Sequence, residues 1–432
     1  MLKIICKQLL NRWGSNVWIS MELLLVFCLV WYMTDYFFVL QYNRSIPLCR
    51  DVSHTWLVDV AQIPELSPAY RPAESDSATL PANFDRVLDR IRNCEGVEEL
   101  AVMNRGDLPG AGSYYGWMLK SSPDSVSPSA GGQRICFDPR TDYFHVFRIT
   151  TPDGKPVSVS DFDFSDPKAI VLSRSAQNSL FPGEHTAIDK GLYNGMDTEQ
   201  SFVVKGVVGD VKRFDYQRPQ KNFYVAERAG YSNIDRKSIV IRSSSSVSDA
   251  RFRQLFSEKM KKELRIGNFY FKRIRSLESL EKETEALFGV TNNYRVRVAL
   301  MLFFLLNIML CVVGTFWYRI RQRREEIGLR MALGSTHASV RRLLYVEGLC
   351  LLAVVVVPAM LIEGQFVYLG MIDTLGKSSQ DSQVYLPDRL LLRFILTNVI
   401  TFVLLVAAIL VAIWLPADKA SRMAPAEALH DE

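Results

Sequence analysis

The chain has 432 residues, of which 48% are hydrophobic and 22% are charged, with a formal net charge of +5. This length is enough for two or three ordinary domains. The mean hydropathy is only +0.05, but the apolar residues are concentrated in a few long runs, and this segregation excludes an ordinary soluble protein.

Four apolar runs are each longer than the roughly 20 residues that a helix needs to cross about 30 Å of hydrocarbon. They predict transmembrane helices over residues 18–40, 298–318, 346–370 and 390–415, the third with a kink at Pro358. The first run could instead be a cleaved signal peptide. It is too long for that, and no small-residue cleavage site follows it, so we expect a retained membrane anchor.

Lysine and arginine residues near the spans predict the orientation of the chain. Segment 1–17 carries three basic residues, segment 416–432 adds Lys419 and Arg422 just after the last span, and segment 319–345 carries seven arginines. Segment 371–389 has only two basic side chains against three aspartates. We therefore expect both termini and segment 319–345 to be cytoplasmic, whereas segments 41–294 and 371–389 lie on the other side of the membrane.

The stretch from Gly370 to Ser378 resembles the G-x-x-x-x-G-K-[ST] loop of ATP-binding proteins. Here five residues rather than four separate Gly370 from Gly376, and the predicted orientation places the stretch outside the cytoplasm. We interpret it as a turn between two helices. The sequence contains no other such loop, so we expect no ATPase site in this chain.

Segment 41–294 is predicted to be a large α+β domain with enough residues for two subdomains. Apolar residues at helical spacing predict a helix that ends at Gly96, and the alternation of residues 97–103 predicts a strand after it. Residues 248–265 and 268–274 repeat this order of helix and strand.

Further patterns in the same segment predict shorter elements. Ser173 is expected to cap a helix that follows a strand. Residues 201–214 are expected to form a pair of strands, and residues 67–82 and 121–134 are expected to be surface loops because they are rich in Pro, Ser and Gly.

We find no catalytic or metal-binding motif in the sequence. H-E-x-x-H, G-x-S-x-G and C-x-x-C are absent, and His54, His145 and His185 are far apart in the sequence. A scattered histidine is more often a surface or core residue than a ligand. We therefore expect a non-catalytic protein without cofactor or metal, and nothing indicates nucleic-acid binding.

Three cysteines, Cys49, Cys94 and Cys136, fall in the predicted extracytoplasmic segment, where disulfides persist. Three cannot all pair within one chain, and their spacing matches no known framework. Their disulfide state is left open.

Segment 319–348 indicates a helix that projects from the second span. Ile327 and Met331 are four residues apart, as are Leu329 and Leu333, and Gly334 is a predicted helix stop. Ser335 or Thr336 would cap the next helix. A basic loop that only fixes topology would not require small residues among apolar ones, so we predict a docking element with these residues: Glu325, Glu326, Ile327, Gly328, Leu329, Arg330, Met331, Ala332, Leu333 and Gly334.

Polar residues within the predicted spans are a second group of candidates, because a charge there costs on the order of 2–3 kcal/mol. They are Glu22, Asn307, Glu347 and Glu363, with Asp35 as a further acid in the first span. Glu22 is either an acid that reaches the membrane interface or a contact between helices or between two copies of the chain.

The sequence "REEIGLRMALGS", followed by Glu347-Gly348 at the start of the next span, resembles the MacB/FtsX-type (type VII) ABC permeases. Residues 141–149, 174–190 and 203–212 are similar to the periplasmic domain of MacB-type permeases. The Pro-x-Glu-Ala-Leu element at Pro425–Leu429 is similar to the end of that family.

The resemblance implies a permease subunit in a bacterial inner membrane, which pairs with a second copy or a paralogue among the membrane lipids. It would dock a cytoplasmic P-loop ATPase and transmit ATP-driven motion to its periplasmic domain. Because only about 17 residues precede the first span, the ATPase is expected to be a separate polypeptide.

The resemblance leaves the substrate open among antimicrobial compounds, peptides and lipoproteins, and leaves open whether an adaptor and an outer-membrane channel take part. The first alternative function is an FtsX-like scaffold that controls cell-wall hydrolases. The second is a membrane-anchored sensor or enzyme without ATPase coupling.

Overall fold

The computed structural model describes residues 13–110, 115–124, 126–195, 199, 201–372 and 390–421. The described residues form two compact units, a membrane unit (up to Tyr42 and from Thr291 onward) and an inserted domain (Asn43–Val290). The basic residues before position 13, most of segment 371–389 and the Pro425–Leu429 element lie outside the described residues.

Ten α-helices occur in the described residues. In chain order they are α1 (Trp13–Ser45), α2 (Thr79–Arg92), α3 (Tyr143–Val146), α4 (Arg174–Leu180), α5 (Asp249–Glu263), α6 (Leu277–Leu287), α7 (Val290–Gln322), α8 (Arg324–Ala332), α9 (His337–Tyr368) and α10 (Leu390–Ser421).

Eleven strands occur in the described residues, all of them in the inserted domain. They are β1 (Thr55–Gln62), β2 (Val97–Asn104), β3 (Tyr115–Lys120), β4 (Ser129–Phe137), β5 (Ala169–Ser173), β6 (Gly191–Asn194), β7 (Phe202–Val208), β8 (Asn222–Ala226), β9 (Lys237–Ser243), β10 (Arg265–Ile266) and β11 (Phe269–Ser276).

Helices α1, α7, α9 and α10 are long and apolar enough to cross a membrane. The predicted fold class, four transmembrane helices with a large α+β domain between the first and the second, is therefore confirmed. Each helix begins or ends beyond the predicted apolar run, because helical hydrogen bonding continues into polar flanks such as Arg319 and Arg321. The membrane unit has one continuous apolar core, to which all four helices contribute.

One half of the inserted domain is an open sheet in which β11, β1, β9 and β2 lie side by side and antiparallel. The chain order is strand, helix, strand (β1, α2, β2) and later again strand, helix, strand (β9, α5, β11), which is the split βαβ arrangement. Helices α2 and α5 cover the same face, where Phe84 and Phe256 share one core.

The other half is a ring of six strands, inserted between β2 and β9. Strands β4, β3, β6, β7, β5 and β8 follow each other, and β8 pairs with β4 in parallel, from Asn222 opposite Gln133 to Ala226 opposite Phe137. This pairing closes the sheet, which removes the unpaired edges that an open sheet would expose. The single pair Met103–Phe137 joins β2 to β4 and so connects the two halves.

The local predictions for α2, for the strand after it and for α4 are confirmed. Helix α2 ends at Arg92, before the predicted stop, and Gly96, with φ +84°, lies in the turn that leads to β2. The Ser173 side chain accepts a hydrogen bond from the backbone N–H of Ala176. Cys49, Cys94 and Cys136 are free thiols, and Cys94 and Cys136 are buried.

Three predictions for this domain are wrong in part. Residues 201–214 contain one strand rather than two, because Asp210 leaves the sheet to accept the backbone N–H of Ser175 at 2.7 Å. The predicted loop 121–134 includes the first residues of β4, and the predicted loop 67–82 includes the start of α2. The small residues at the start of β4 form a strand because they pair with residues 117–120 of β3.

Candidate coupling site

Helix α8 is a separate short helix between two membrane helices. It begins after Arg323, whose non-helical backbone interrupts the path from α7, and it ends at Gly334, which has φ +91°. The N–H of Gly334 bonds to the carbonyl of Met331, and the N–H of Ser335 to that of Arg330. These two bonds form a Schellman motif, for which a glycine at this φ is favoured. The predicted stop is confirmed.

Helix α9 begins immediately afterwards, capped by Thr336. The hydroxyl oxygen of Thr336 accepts a hydrogen bond from the backbone N–H of Ser339 at 3.3 Å, so Thr336 rather than Ser335 is the cap. Only three residues separate α8 from the cap of α9. The short connection limits how far α8 can move without moving α9.

Arg319 of α7 and Arg323, which follows the end of α7, both contact Glu347 of α9. The Arg319 Nη1 atom lies 2.6 Å from Glu347 Oε1, and the Arg323 Nη1 atom lies 3.1 Å from Glu347 Oε2. Arg319 and Glu347 are both buried. We call these three residues the arginine–glutamate clamp. Since Arg323 directly precedes α8, the clamp holds both ends of the segment that carries α8.

The glycine that follows Glu347 has a separate packing role. A Cβ atom at Gly348 would overlap Cδ1 of Ile413 and lie 3.2 Å from Cγ2 of Ile409, both on α10. Gly348 therefore permits a close approach of α9 and α10. In the Glu-Gly pair of the motif, Glu347 thus supplies the acid of the clamp, and Gly348 leaves room for α10 to pack closely.

The predicted docking residues of α8 divide between two faces. Ile327 is 6% exposed and belongs to the apolar core with Val340 and Leu344, and Gly328 is also buried. Leu329 and Leu333 are 53% and 80% exposed. Glu325, Ala332 and Gly334 are likewise exposed, whereas Met331 packs partly against the core.

Glu326 and Arg330 pair with each other on the surface of α8, with 2.7 Å between Oε1 and Nη2. Such an exposed pair one helical turn apart adds only a few tenths of a kcal/mol. Leu329, Ala332 and the C-terminal cap residue Leu333 form an exposed apolar patch beside Glu325 and this ion pair. We call these three residues the leucine face.

The end of α10 is attached to the same region. Asp418 lies 3.6 Å from Arg341 of α9, and the Nζ of Lys419 lies 4.6 Å from the ring centre of Trp317 in α7. His337 and the backbone carbonyl of Ser421 are also in contact. The end of α10 is therefore attached to both α7 and α9.

The other predicted intramembrane polar residues are not part of this site. Glu22 accepts a hydrogen bond from the Cys311 thiol at 2.6 Å, so it contacts α7 within the chain. Asn307 faces outward from α7. Glu363 is fully buried in α9.

A buried ion pair between Asp35 and Arg393 joins α1 to α10. The Nε atom of Arg393 donates to Asp35 Oδ1 at 2.7 Å, and its Nη2 atom also contacts the carboxylate. One turn away, Trp31 Nε1 donates to the Thr397 hydroxyl at 3.0 Å. Asp35 is recognisable in the sequence as an acid within the first span, whereas its partner Arg393 was not predicted. A basic residue near the start of an apolar run was the available signal.

Within the described ranges, no group of three or more His, Cys, Asp or Glu side chains could hold a metal ion. The site instead consists of an ion-pair clamp, a close helix contact and an exposed apolar face.

Comparisons with known proteins bear on both units. Residues 298–425 match the family model described as FtsX-like permease C-terminal. No curated protein matches the sequence. The periplasmic region of MacB from Actinobacillus actinomycetemcomitans is similar to 54% of this chain, over 93% of that structure, with 16% identity and a TM-score of 0.30.

A second similar structure is the extracellular domain of the noncanonic ABC-type transporter YknZ from Gram-positive bacteria. It is similar to 50% of this chain, over all of that structure, with 12% identity and a TM-score of 0.29. The family match covers the last three membrane helices, including α8 and the clamp. The predicted resemblance is thereby confirmed, and the chain carries the C-terminal domain of the FtsX-like permeases.

Proposed function

We propose that this protein is the permease subunit of an ABC transporter and that it binds a separate cytoplasmic ATPase through α8. The ATPase would hydrolyse ATP, and the permease would carry the resulting motion across the membrane to the inserted domain. The arginine-rich segment around α8 supports a cytoplasmic position for α8 and for both termini, with the inserted domain outside the cytoplasm.

The leucine face is the observation that carries this proposal. Leu329 and Leu333 are exposed although they lie on a helix whose other side is packed into the apolar core. A leucine that becomes fully buried contributes about 1.5–3 kcal/mol relative to an exposed one. A protein that covers both side chains would gain enough free energy to make this face the centre of an interface.

The clamp supports the second part of the proposal, the transfer of motion. Since Glu347 holds Arg319 and Arg323, a force on α8 acts on α7 and α9 together rather than on a loose loop. Helix α7 begins at Val290, only three residues after α6 ends at Leu287. The chain of the inserted domain therefore continues almost directly into the helix that the clamp holds.

A paired arrangement of two permease chains is also part of the proposal. Helix α7 is the least buried of the four membrane helices, and its exposed side carries Asn307 between Leu306 and Leu310. A polar amide that faces hydrocarbon lacks hydrogen-bond partners, whereas a second chain could supply one. We infer that the exposed side of α7 faces another permease chain.

The test uses the full-length permease and the P-loop ATPase encoded next to it. Leu329→Asp and Leu333→Asp would place a charge in the interface, and losing a central contact typically costs 2 kcal/mol or more, about thirtyfold in affinity. We expect both variants to insert normally but to lose ATPase binding in pull-down and to lose stimulation of ATP hydrolysis.

Leu255→Asp is the matched control, because Leu255 on α5 is 53% exposed, as Leu329 is, but lies in the inserted domain. It should leave ATPase binding unchanged. If Leu329→Asp and Leu333→Asp also bind and stimulate the ATPase normally, the leucine face is not the docking surface, and the proposed mode of coupling is wrong.

A further inference from the structure

Glu363 on α9 has a carboxyl group whose surroundings do not stabilise a negative charge. It is 0% exposed, and neither of its oxygens has a hydrogen-bond partner among the described residues. It lies seven residues before the predicted end of the third span, about 10 Å at 1.5 Å per residue. A buried carboxylate without donors is strongly unfavourable, so such groups usually bind a proton.

The charged and titratable neighbours do not supply the missing donors. Helix α1 contributes Asp35, a like charge, and the thiol of Cys28. Helix α10 contributes Arg393, but two of its nitrogens contact Asp35. Asp35 thus holds the guanidinium beside it, and the like charge of Asp35 further disfavours an ionised Glu363.

Asn398 of α10 lies against the Glu363 carboxyl group. The Nδ2 atom of Asn398 donates to the backbone carbonyl of Phe394 at 3.0 Å, whereas its buried Oδ1 atom has no donor in the described part of the chain. Both oxygens of Glu363 and Oδ1 of the neighbouring Asn398 are thus buried acceptors without a donor among the described residues. An ionised carboxylate only accepts hydrogen bonds, whereas a protonated one has an O–H that donates.

We propose that Glu363 is a proton-binding site in the membrane unit, occupied in this conformation, and that its O–H donates to Oδ1 of Asn398. One bound proton removes the buried charge and satisfies an oxygen on each side chain. The ligand of the site is the proton itself, and the residues that define the site are Glu363, Asn398 and Asp35.

The position of the site on α9 links the proton to helix movement. Pro358 lies between the clamp residue Glu347 and Glu363, and a proline inside a helix removes one backbone hydrogen bond and favours a bend. If the part of α9 beyond Pro358 separates from α10, the hydrogen bond to Asn398 breaks and water reaches the carboxyl group. The proton would then be released.

The experiment is infrared difference spectroscopy on the full-length protein in lipid nanodiscs at pH 7. The spectrum of the wild type minus that of Glu363→Gln should contain the C=O stretch of a protonated carboxylic acid, with a downshift in D₂O. Asn398→Leu should retain this band but move it to higher frequency, because the acceptor of the O–H is lost. Thermal unfolding of each variant verifies that it is folded.

Glu325→Gln is the matched control, since Glu325 is exposed on α8 and should contribute only carboxylate bands. A wild-type minus Glu363→Gln spectrum with carboxylate bands and no acid band would overturn the proposal. An acid band that does not shift in Asn398→Leu would overturn the assignment of Asn398 as the acceptor. Neither result depends on the ATPase, so the outcome is independent of the proposed function.

Discussion

Arg319 and Glu347 form a buried ion pair, with 2.6 Å between Nη1 and Oε1, across the segment that carries α8. The pair is separated by 28 residues and joins the end of α7 to the first turns of α9. Arg323 binds the other oxygen of the same carboxylate, so both oxygens of Glu347 are used. This relationship makes α8 a fixed part of the membrane unit.

We expect Glu347→Ala to destabilise the membrane unit by about 3 kcal/mol or more. Removing one partner of a buried ion pair is strongly destabilising, and here both arginines lose the carboxylate that they contact. Thermal unfolding in detergent, together with amide hydrogen exchange of residues 324–332, measures the effect. The α8 amides should exchange faster than in the wild type.

Glu326→Ala is the control for that change, because Glu326 forms an exposed pair with Arg330 on α8 itself. It should cost less than about 0.5 kcal/mol. Equal destabilisation by the two variants would mean that the clamp contributes no more than a surface ion pair.

A second prediction concerns the contact of α9 with α10. We expect Gly348→Leu to destabilise the protein by about 1–3 kcal/mol or more, since the new side chain collides with the buried Ile413 and Ile409. Ile413→Ala in the same chain should recover part of the loss by making room. Unfolding midpoints of the single and double variants give the interaction free energy.

Gly364→Leu provides the comparison, because a Cβ atom at this position of the same helix has no neighbour within 4 Å. It should be close to neutral. Equal destabilisation by the two leucine substitutions would contradict the packing role of Gly348. The absence of any recovery by Ile413→Ala would contradict it as well.

The pair of Asp35 and Arg393 supports a third prediction. Asp35→Ala leaves Arg393 buried without its carboxylate, and we expect a loss of about 3–5 kcal/mol. Replacing both residues, as Asp35→Ala with Arg393→Leu, should cost less than Asp35→Ala alone, because no uncompensated charge remains. Unfolding of Asp35→Ala, of Arg393→Leu and of the double variant in lipid nanodiscs measures this difference, and additive costs would rule out the coupling.

A fourth prediction concerns pH and the inserted domain. Burial raises the pKa of Asp107 to about 6, although the hydrogen bond from the backbone N–H of Cys136 partly opposes the rise. Since the folded state holds this proton more tightly than the unfolded chain, its contribution to stability is complete below about pH 4. That contribution is lost as the pH rises through about 6 and amounts to at most about 3 kcal/mol.

Asp107→Asn removes this titration. The difference in free energy of unfolding between wild type and Asp107→Asn should therefore change between pH 4 and pH 7, with the wild type losing stability relative to the variant. Denaturant unfolding, monitored by hydrogen exchange of the β4 amides, provides the measurement. Asp153→Asn, at an exposed carboxyl, serves as the control, and parallel pH profiles for wild type and Asp107→Asn would contradict the prediction.

The sequence by itself determined the features that depend on short stretches of chain. Length and hydropathy predict the four membrane helices, because a span must satisfy its backbone within one continuous apolar helix. The end of α8 at Gly334 and a helix cap at Ser335 or Thr336 follow from residues within one turn, whereas the structure selected Thr336. The α+β character of the inserted domain follows from local periodicity in the same way.

Only the tertiary structure decided which side of each element faces its neighbours. Ile327 and Leu329 have the same apolar character, yet one is buried and the other exposed. Likewise, Glu363 points inward while Asn307 points outward. The pairing of Asp35 with Arg393, and the closure of β4 with β8, join residues that are far apart in the chain. Such choices depend on how complete helices and strands pack, which no short stretch of sequence contains.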